Sequence, residues 1–194
     1  TFKETLSFLQ RLGVQVGKSV LILGSGTVGL SFAFGAKLMG AGPVMITGRR
    51  AEPLAAARGW GADYGINVNE ENVADAVRRY TSGRGADFVV EAIGDWVALQ
   101  DGMRAAAEYG QVGLYGVAPE HAATLDWSGT PANWALRFVQ PKEEDVHQLV
   151  LDQIRLGWVD LRRFVTHRLP FDAIREGFDL VTSRKATKVS IRIQ

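Results

Sequence analysis

Gly24-Ser25-Gly26-Thr27-Val28-Gly29 spells G-x-G-x-x-G directly after the apolar run Val20–Leu23 and at the start of a helical pattern. In that setting each glycine has a physical task. The first permits a tight turn, the second lets the backbone approach a pyrophosphate, and the third lets the helix pack closely on the strand. The helix start adds unpaired amides and a partial positive charge, so Thr27 and Val28 join Gly24, Gly26 and Gly29 as candidate phosphate-binding residues. Two other readings of the same turn stand beside this one: a methyltransferase loop for a sulfonium nucleoside, and a tight βα turn with no ligand.

The end of the next apolar run, Val44–Thr47, decides which dinucleotide fits. A site for NAD places Asp or Glu about 20 residues beyond the glycine motif, on the ribose hydroxyls. Counting 19 residues on from Gly29 lands on Gly48, followed by Arg49 and Arg50. Glycine leaves room where a carboxylate would repel a 2′-phosphate, and a guanidinium pairs with phosphate through charge-assisted hydrogen bonds worth roughly 1.5–3 kcal/mol each. The expected cofactor is therefore NADP, with NAD as the alternative. The plainer reading of Arg49-Arg50 is a solvated pair at a helix start. Glu52 is the nearest acid but falls four positions late, inside a helix.

Other catalytic patterns fail. Gly13-Val14-Gln15-Val16-Gly17-Lys18-Ser19 has three residues between its glycines where a P-loop has four, and it leads into a strand, so Lys18 is expected to be a solvated turn residue. No tyrosine is followed four residues later by lysine, as short-chain dehydrogenases require, and Gly29-Leu30-Ser31-Phe32-Ala33 misses the last glycine of a nucleophile elbow. The histidines His121, His147 and His167 are far apart; Glu143 and His147 are spaced i,i+4, but two ligands without a third read as a surface pair. Arg162-Arg163 reads as a solvated turn. No catalytic residue and no metal ligand is assigned.

Composition closes off further classes. The chain has 194 residues, no cysteine and a net charge of +1, with 46% hydrophobic and 22% charged residues. Thiol chemistry, disulfides and Cys-containing zinc sites are excluded, and no basic footprint for nucleic acid exists. The 18 uncharged residues from Ser19 to Ala36 are cut by Gly24–Thr27, and read as strand, turn and helix rather than a membrane span. No secretory signal is visible, Thr1 is not an initiator, and a cytoplasmic location is expected.

The elements that must position the site follow one rhythm. Helical patterns at 2–12, 27–39, 52–58, 71–80 and 97–107 alternate with strand patterns at 20–23, 44–47, 64–68, 88–91 and 112–117. This implies a doubly wound parallel α/β sheet with right-handed crossovers, a Rossmann dinucleotide-binding fold. A long connection at 118–133, an edge strand at 134–139, helices at 143–156 and 171–182 and a terminal strand at 188–193 follow. The expected division is a Rossmann domain over 1–140 and a C-terminal helix-strand extension over 141–194.

The stretches Val16–Leu30, Trp60–Asp63, Gly83–Gly94 and Phe164–Pro170, in this order and spacing, resemble the medium-chain dehydrogenase/reductase superfamily of the zinc alcohol dehydrogenase type. The likeness implies hydride transfer between an alcohol or carbonyl and a nicotinamide. It implies that Gly48 and Arg50, with Arg49 as a second ligand, hold the 2′-phosphate. It implies that Ala92, Ile93 and Gly94 lie along the cofactor, that the backbone of Tyr115, Gly116 and Val117 meets the nicotinamide carboxamide, and that Lys188 reaches toward the pyrophosphate. An exposed edge charge is the equal alternative for Lys188. Residues beyond about 130 resemble a dimer-edge strand, so a homo-oligomer through 134–139 is expected. The family's N-terminal GroES-like domain, with its zinc ligands and proton relay, has no counterpart here, so the chain is expected to be the coenzyme-binding part of a longer enzyme and inactive alone. The alternatives are a zinc-free quinone or enoyl reductase of the same superfamily and a non-catalytic NADP-responsive interaction module. Trp127, Trp134 and Phe138 are candidates to approach the substrate, with core or dimer packing as their other use.

Overall fold

The computed structural model describes residues 1–119, 122–183 and 185–193; His121 lies outside them. The chain forms two compact units, Thr1–Val146 and His147–Gln194.

In the first unit, α1 (Phe2–Leu12) buries Phe2, Leu6, Phe8, Leu9 and Leu12, and Gly13 ends it in the left-handed conformation with φ 97°. There follow β1 (Val20–Leu23), α2 (Thr27–Leu38), β2 (Val44–Gly48), α3 (Ala51–Ala57), β3 (Tyr64–Asn67), α4 (Val73–Tyr80), β4 (Ala86–Glu91), α5 (Trp96–Ala105), β5 (Ala106–Leu114) and β6 (Ala135–Phe138). The six strands run in the order β3-β2-β1-β4-β5-β6, every pairing parallel. Chain order thus steps outward from β1 to β3, then returns to the other side of β1 at β4. The crevice at that reversal is where a doubly wound sheet receives its ligand.

Strand β1 shows why the sheet is covered on both faces. Val20 and Ile22 pack with Phe8, Leu12 and Phe32 of α1 and α2. Leu21 and Leu23 pack with Val77, Leu99 and Met103 of α4 and α5. A strand buried on both sides reads as a continuous apolar run, which is what residues 20–23 are. Between α1 and α2, the Thr5 and Ser31 hydroxyls pair at 2.7 Å, so the buried polar groups there are satisfied. Lys18, half exposed as expected of a turn residue, pairs with Asp87 at 3.2 Å, and the amide and hydroxyl of Ser19 donate to the same carboxylate, joining the starts of β1 and β4.

Two expected boundaries move. The helix expected over 97–107 stops at Ala105, because Ala106 already pairs with Ala86. The register then shifts before Phe88 meets Gln111, and Tyr109 takes a positive φ of 62°. The expected strand over 112–117 is correspondingly early: the chain leaves the sheet after Leu114, where the amides of Tyr115 and Gly116 turn back to the Glu91 carbonyl. The edge strand β6 lies where expected, and its Arg137 donates to the carbonyls of Leu12 and Arg11 at the end of α1.

The pattern at 143–156 divides into a 3₁₀ turn, Glu143–Val146, and α6 (His147–Arg155), and the boundary between the units falls there. The second unit continues with β7 (His167–Pro170), α7 (Ile174–Thr182) and β8 (Val189–Arg192). The two strands pair in parallel as a separate small sheet, and the bare face of Gly177 lets α7 sit on Leu169, Val189 and Ile191. Arg162 is exposed as expected of a turn but is paired with Asp160 at 2.8 Å. No helix among the described residues is long and apolar enough to cross a membrane; the 18-residue uncharged stretch is indeed strand, turn and helix.

Candidate functional site: the crevice at the strand reversal

The glycine turn is built as the close approach of three chain segments. Gly24 has φ 106°, and a Cβ there would meet the Ile93 side chain at 2.7 Å. A Cβ on Gly29 would run into the Gly24 carbonyl oxygen, so only glycine lets α2 sit so close to the end of β1. Gly26 differs: nothing lies within 4 Å of where its Cβ would be, and no side chain caps α2. The backbone between Gly24 and Gly29 is thus a cradle that is tight toward the protein and open on its outer side. With the positive end of a 12-residue helix behind it, this fits a diphosphate. Residues Thr27 and Val28 form its first helical turn.

On one flank the Thr47 hydroxyl accepts from the Gly24 amide at 3.1 Å, holding the end of β2 to the turn. Beside it, the Ser25 hydroxyl fills the place a Cβ on Gly48 would take. In the sequence Ser25 is only an unspecified position of the glycine motif; its role emerges from the three-dimensional approach of two turns. Arg50 is exposed, extended, and the N-cap residue of α3. Arg49, 75% exposed, reaches Asp95 at 3.8 Å, and its carbonyl accepts from the Asn69 side chain. Asp95 also caps α5 by accepting from the amides of Val97 and Ala98. The two arginines are therefore unequal: one faces a carboxylate, while the other has no hydrogen bond or ion pair to a described residue.

On the other flank stands Glu91, 2% exposed at the end of β4. Its carboxylate accepts from the amides of Ile93 at 2.8 Å and Gly94 at 2.9 Å. Burial, reinforced by the charge of Asp95, pushes its pKa above the usual range against the opposing pull of those amides. Gly94 and Gly116 face each other so closely that a Cβ on either would strike the opposite loop. The Tyr115 ring packs edge-on against Phe32 and Phe8 at 4.9 and 5.4 Å, and burial with a hydrogen bond to Glu4 raises its hydroxyl pKa strongly. Because the Tyr115 and Gly116 amides are already taken, this strand end has carbonyls to offer, together with Val117, which is 90% exposed. A cavity of about 250 Å³ lies beside it, between Glu91, Trp96, Leu114, Gly116 and Phe138.

The structure thus brings together Gly24–Gly29, Gly48–Arg50, Ala92–Gly94 and Tyr115–Val117. Lys188 belongs to the second unit, where its carbonyl accepts from the Thr166 and His167 amides. Trp127 and Trp134 pair with each other at 5.8 Å. Among the described residues no three His, Cys, Asp or Glu side chains gather in a way that would hold a metal.

Strand order, reversal point and glycine cradle together define a Rossmann-type coenzyme-binding domain. Residues 27–136 match the zinc-binding dehydrogenase family, and the chain belongs to it, within the zinc-type medium-chain dehydrogenase/reductase superfamily. It is 30% identical to an L-threonine 3-dehydrogenase of Sinorhizobium fredii over 175 residues, covering 90% of this chain and 50% of that protein. Against an L-threonine 3-dehydrogenase of Pyrococcus horikoshii the identity is 34% over 177 residues, covering 89% and 51%. The alcohol dehydrogenase TADH from Thermus sp. ATN1 superposes with a TM-score of 0.90 at 27% identity, covering 98% of this chain and 57% of that one. The chain therefore spans about half the length of the curated relatives it matches.

Proposed function

We propose that this chain is the NADP-binding part of an alcohol dehydrogenase-like oxidoreductase. The observation that carries the reading is the cradle at Gly24–Gly29 beside a strand end with glycine at 48 and an exposed arginine at 50 that pairs with no described residue. The α2 amides take the pyrophosphate, and Gly48 leaves the adenosine ribose free of a carboxylate. Arg50 pairs with the 2′-phosphate, with Arg49 as a second ligand. Ile93, lying over Gly24, and the strand end at Tyr115–Val117 guide the other half of the dinucleotide along β4 and β5. NAD is the alternative cofactor.

When bound, the nicotinamide gives or takes the hydride exchanged with an alcohol or carbonyl carbon. The residues of this chain set its place and orientation. The zinc of the parent enzyme belongs to residues outside this chain, and turnover requires them, so these 194 residues alone bind cofactor without reducing a carbonyl. The second unit packs toward that catalytic portion; Trp158, Phe171 and Phe178, all largely exposed, are the apolar surface for the contact. Self-association runs through β6, an edge strand bearing an exposed Phe138. Titration with NADPH and NADH tests the cofactor, and an assay of the chain with and without its parent's remaining residues tests the division of labour.

A further inference from the structure

Glu91 is the one charged residue buried among the described residues, and no described cation forms an ion pair with it. It is one of the buried polar residues of the sheet, and its carboxylate is met by backbone amides of the next turn: Ile93 at 2.8 Å and Gly94 at 2.9 Å to Oε1, with a second contact from Gly94 at 3.1 Å to Oε2. Its main-chain carbonyl accepts from Tyr115 at 3.0 Å and Gly116 at 2.9 Å. A single residue therefore pins the loop after β4 with its side chain and the loop after β5 with its backbone. Both approaches need glycine on the far side. A Cβ on Gly116 would strike the Gly94 amide and Glu91 Oε2, and one on Gly94 would strike the Val117 carbonyl. The first of these loops carries Ile93, whose side chain lies over Gly24.

A dinucleotide at a strand reversal spreads its two nucleoside halves over the two halves of the sheet. The 2′-phosphate end falls by β2; the other half must pass the ends of β4 and β5. From this geometry we infer that Glu91 is a positioning residue, which sets the separation of the loops at 92–95 and 115–118 and thereby the fit of the cofactor's non-adenosine half. The inference rests on the dinucleotide reading of the crevice. An uncharged acceptor would serve a merely structural turn; a carboxylate accepts from several amides at once, and those bonds offset part of the cost of burying it, so the two loops are held at a fixed separation.

The test separates the halves of the ligand. Wild type, Glu91→Gln and Glu91→Ala are titrated with NADPH and with adenosine 2′,5′-bisphosphate, which carries the adenosine half alone. NADPH affinity is expected to fall about tenfold or more in Glu91→Ala and less in Glu91→Gln, which keeps one accepting oxygen, while the bisphosphate binds all three within about twofold. Gly116→Ala wedges the same two loops apart by another route and is expected to give the same split. Equal weakening of both ligands would mean a general loss of structure and would overturn the inference, as would NADPH binding that ignores residue 91. A wild-type chain that binds neither ligand would instead overturn the dinucleotide reading, and this inference with it.

Discussion

Gly48 and Ser25 share one place in the crevice, and that sharing makes cofactor choice testable residue by residue. Gly48→Asp puts a carboxylate where the ribose hydroxyls of NADH would meet it, but its Cβ has to displace the Ser25 hydroxyl. On the NADP reading, the single change lowers NADPH affinity about ten- to a hundredfold, and NADH binding improves only in Gly48→Asp combined with Ser25→Gly; competition titrations with both cofactors check this. Asp87 gives a prediction about pH. Burial alone would raise its carboxyl, but the Ser19 hydroxyl and amide and the Lys18 ammonium hold it below its ordinary value of 3.8. A depressed folded-state value stabilises the fold above the unfolded value and loses that contribution as pH falls through the folded one. Asp87→Asn is therefore expected to cost about 1–2 kcal/mol at neutral pH and to converge on wild type in strong acid, as read by urea unfolding across pH. The role of Asp87 was hidden in the sequence because its partners at 18 and 19 are remote in the chain and meet only when β4 lies beside β1.

At the scale of the element, helix α2 is held against β1 by the absence of a side chain at Gly29. Gly29→Ala forces a Cβ into the Gly24 carbonyl, so the helix start must move off the strand. The expected result is a loss of about 1–3 kcal/mol together with loss of cofactor binding, measured by thermal unfolding and titration of the same variant. Much of this level was legible beforehand. Continuous apolar runs such as Val20–Leu23 announce strands buried on both faces, and Gly13 stops α1 where its left-handed geometry demands. The failures have physical causes. Ala106-Ala107 follows Ala105 with the same strong helix propensity, yet pairing of Ala106 with Ala86 turns it into strand, tertiary contact overriding local preference. Strand β7 leaves no signal in the sequence, because four residues ending in proline carry too little alternation without their partner β8. Glu91 read only as the end of an apolar run; that its carboxylate turns back onto its own next loop leaves no periodic trace.

For the whole molecule, family and fold were legible because several motifs stand in order, whereas the difference between Arg49 and Arg50 needed the distance to Asp95. Both apolar clusters of the sheet lie within Thr1–Val146, so a chain ending at 146 is expected to fold cooperatively and keep its cofactor affinity within a few-fold; circular dichroism and titration decide this. The exposed edge β6 is expected to mediate self-association. Phe138→Lys, which places a charge on an 83% exposed edge position, should shift the chain toward monomer in sedimentation while leaving its melting temperature nearly unchanged. The most direct test of the central claim is calorimetric titration of the chain with NADPH and, separately, NADH, repeated on Arg50→Ala. NADPH is expected to bind about ten- to a hundredfold more tightly than NADH, and Arg50→Ala to remove most of that advantage. NADH binding as tight as NADPH, or an Arg50→Ala variant with undiminished preference for NADPH, would contradict the 2′-phosphate assignment.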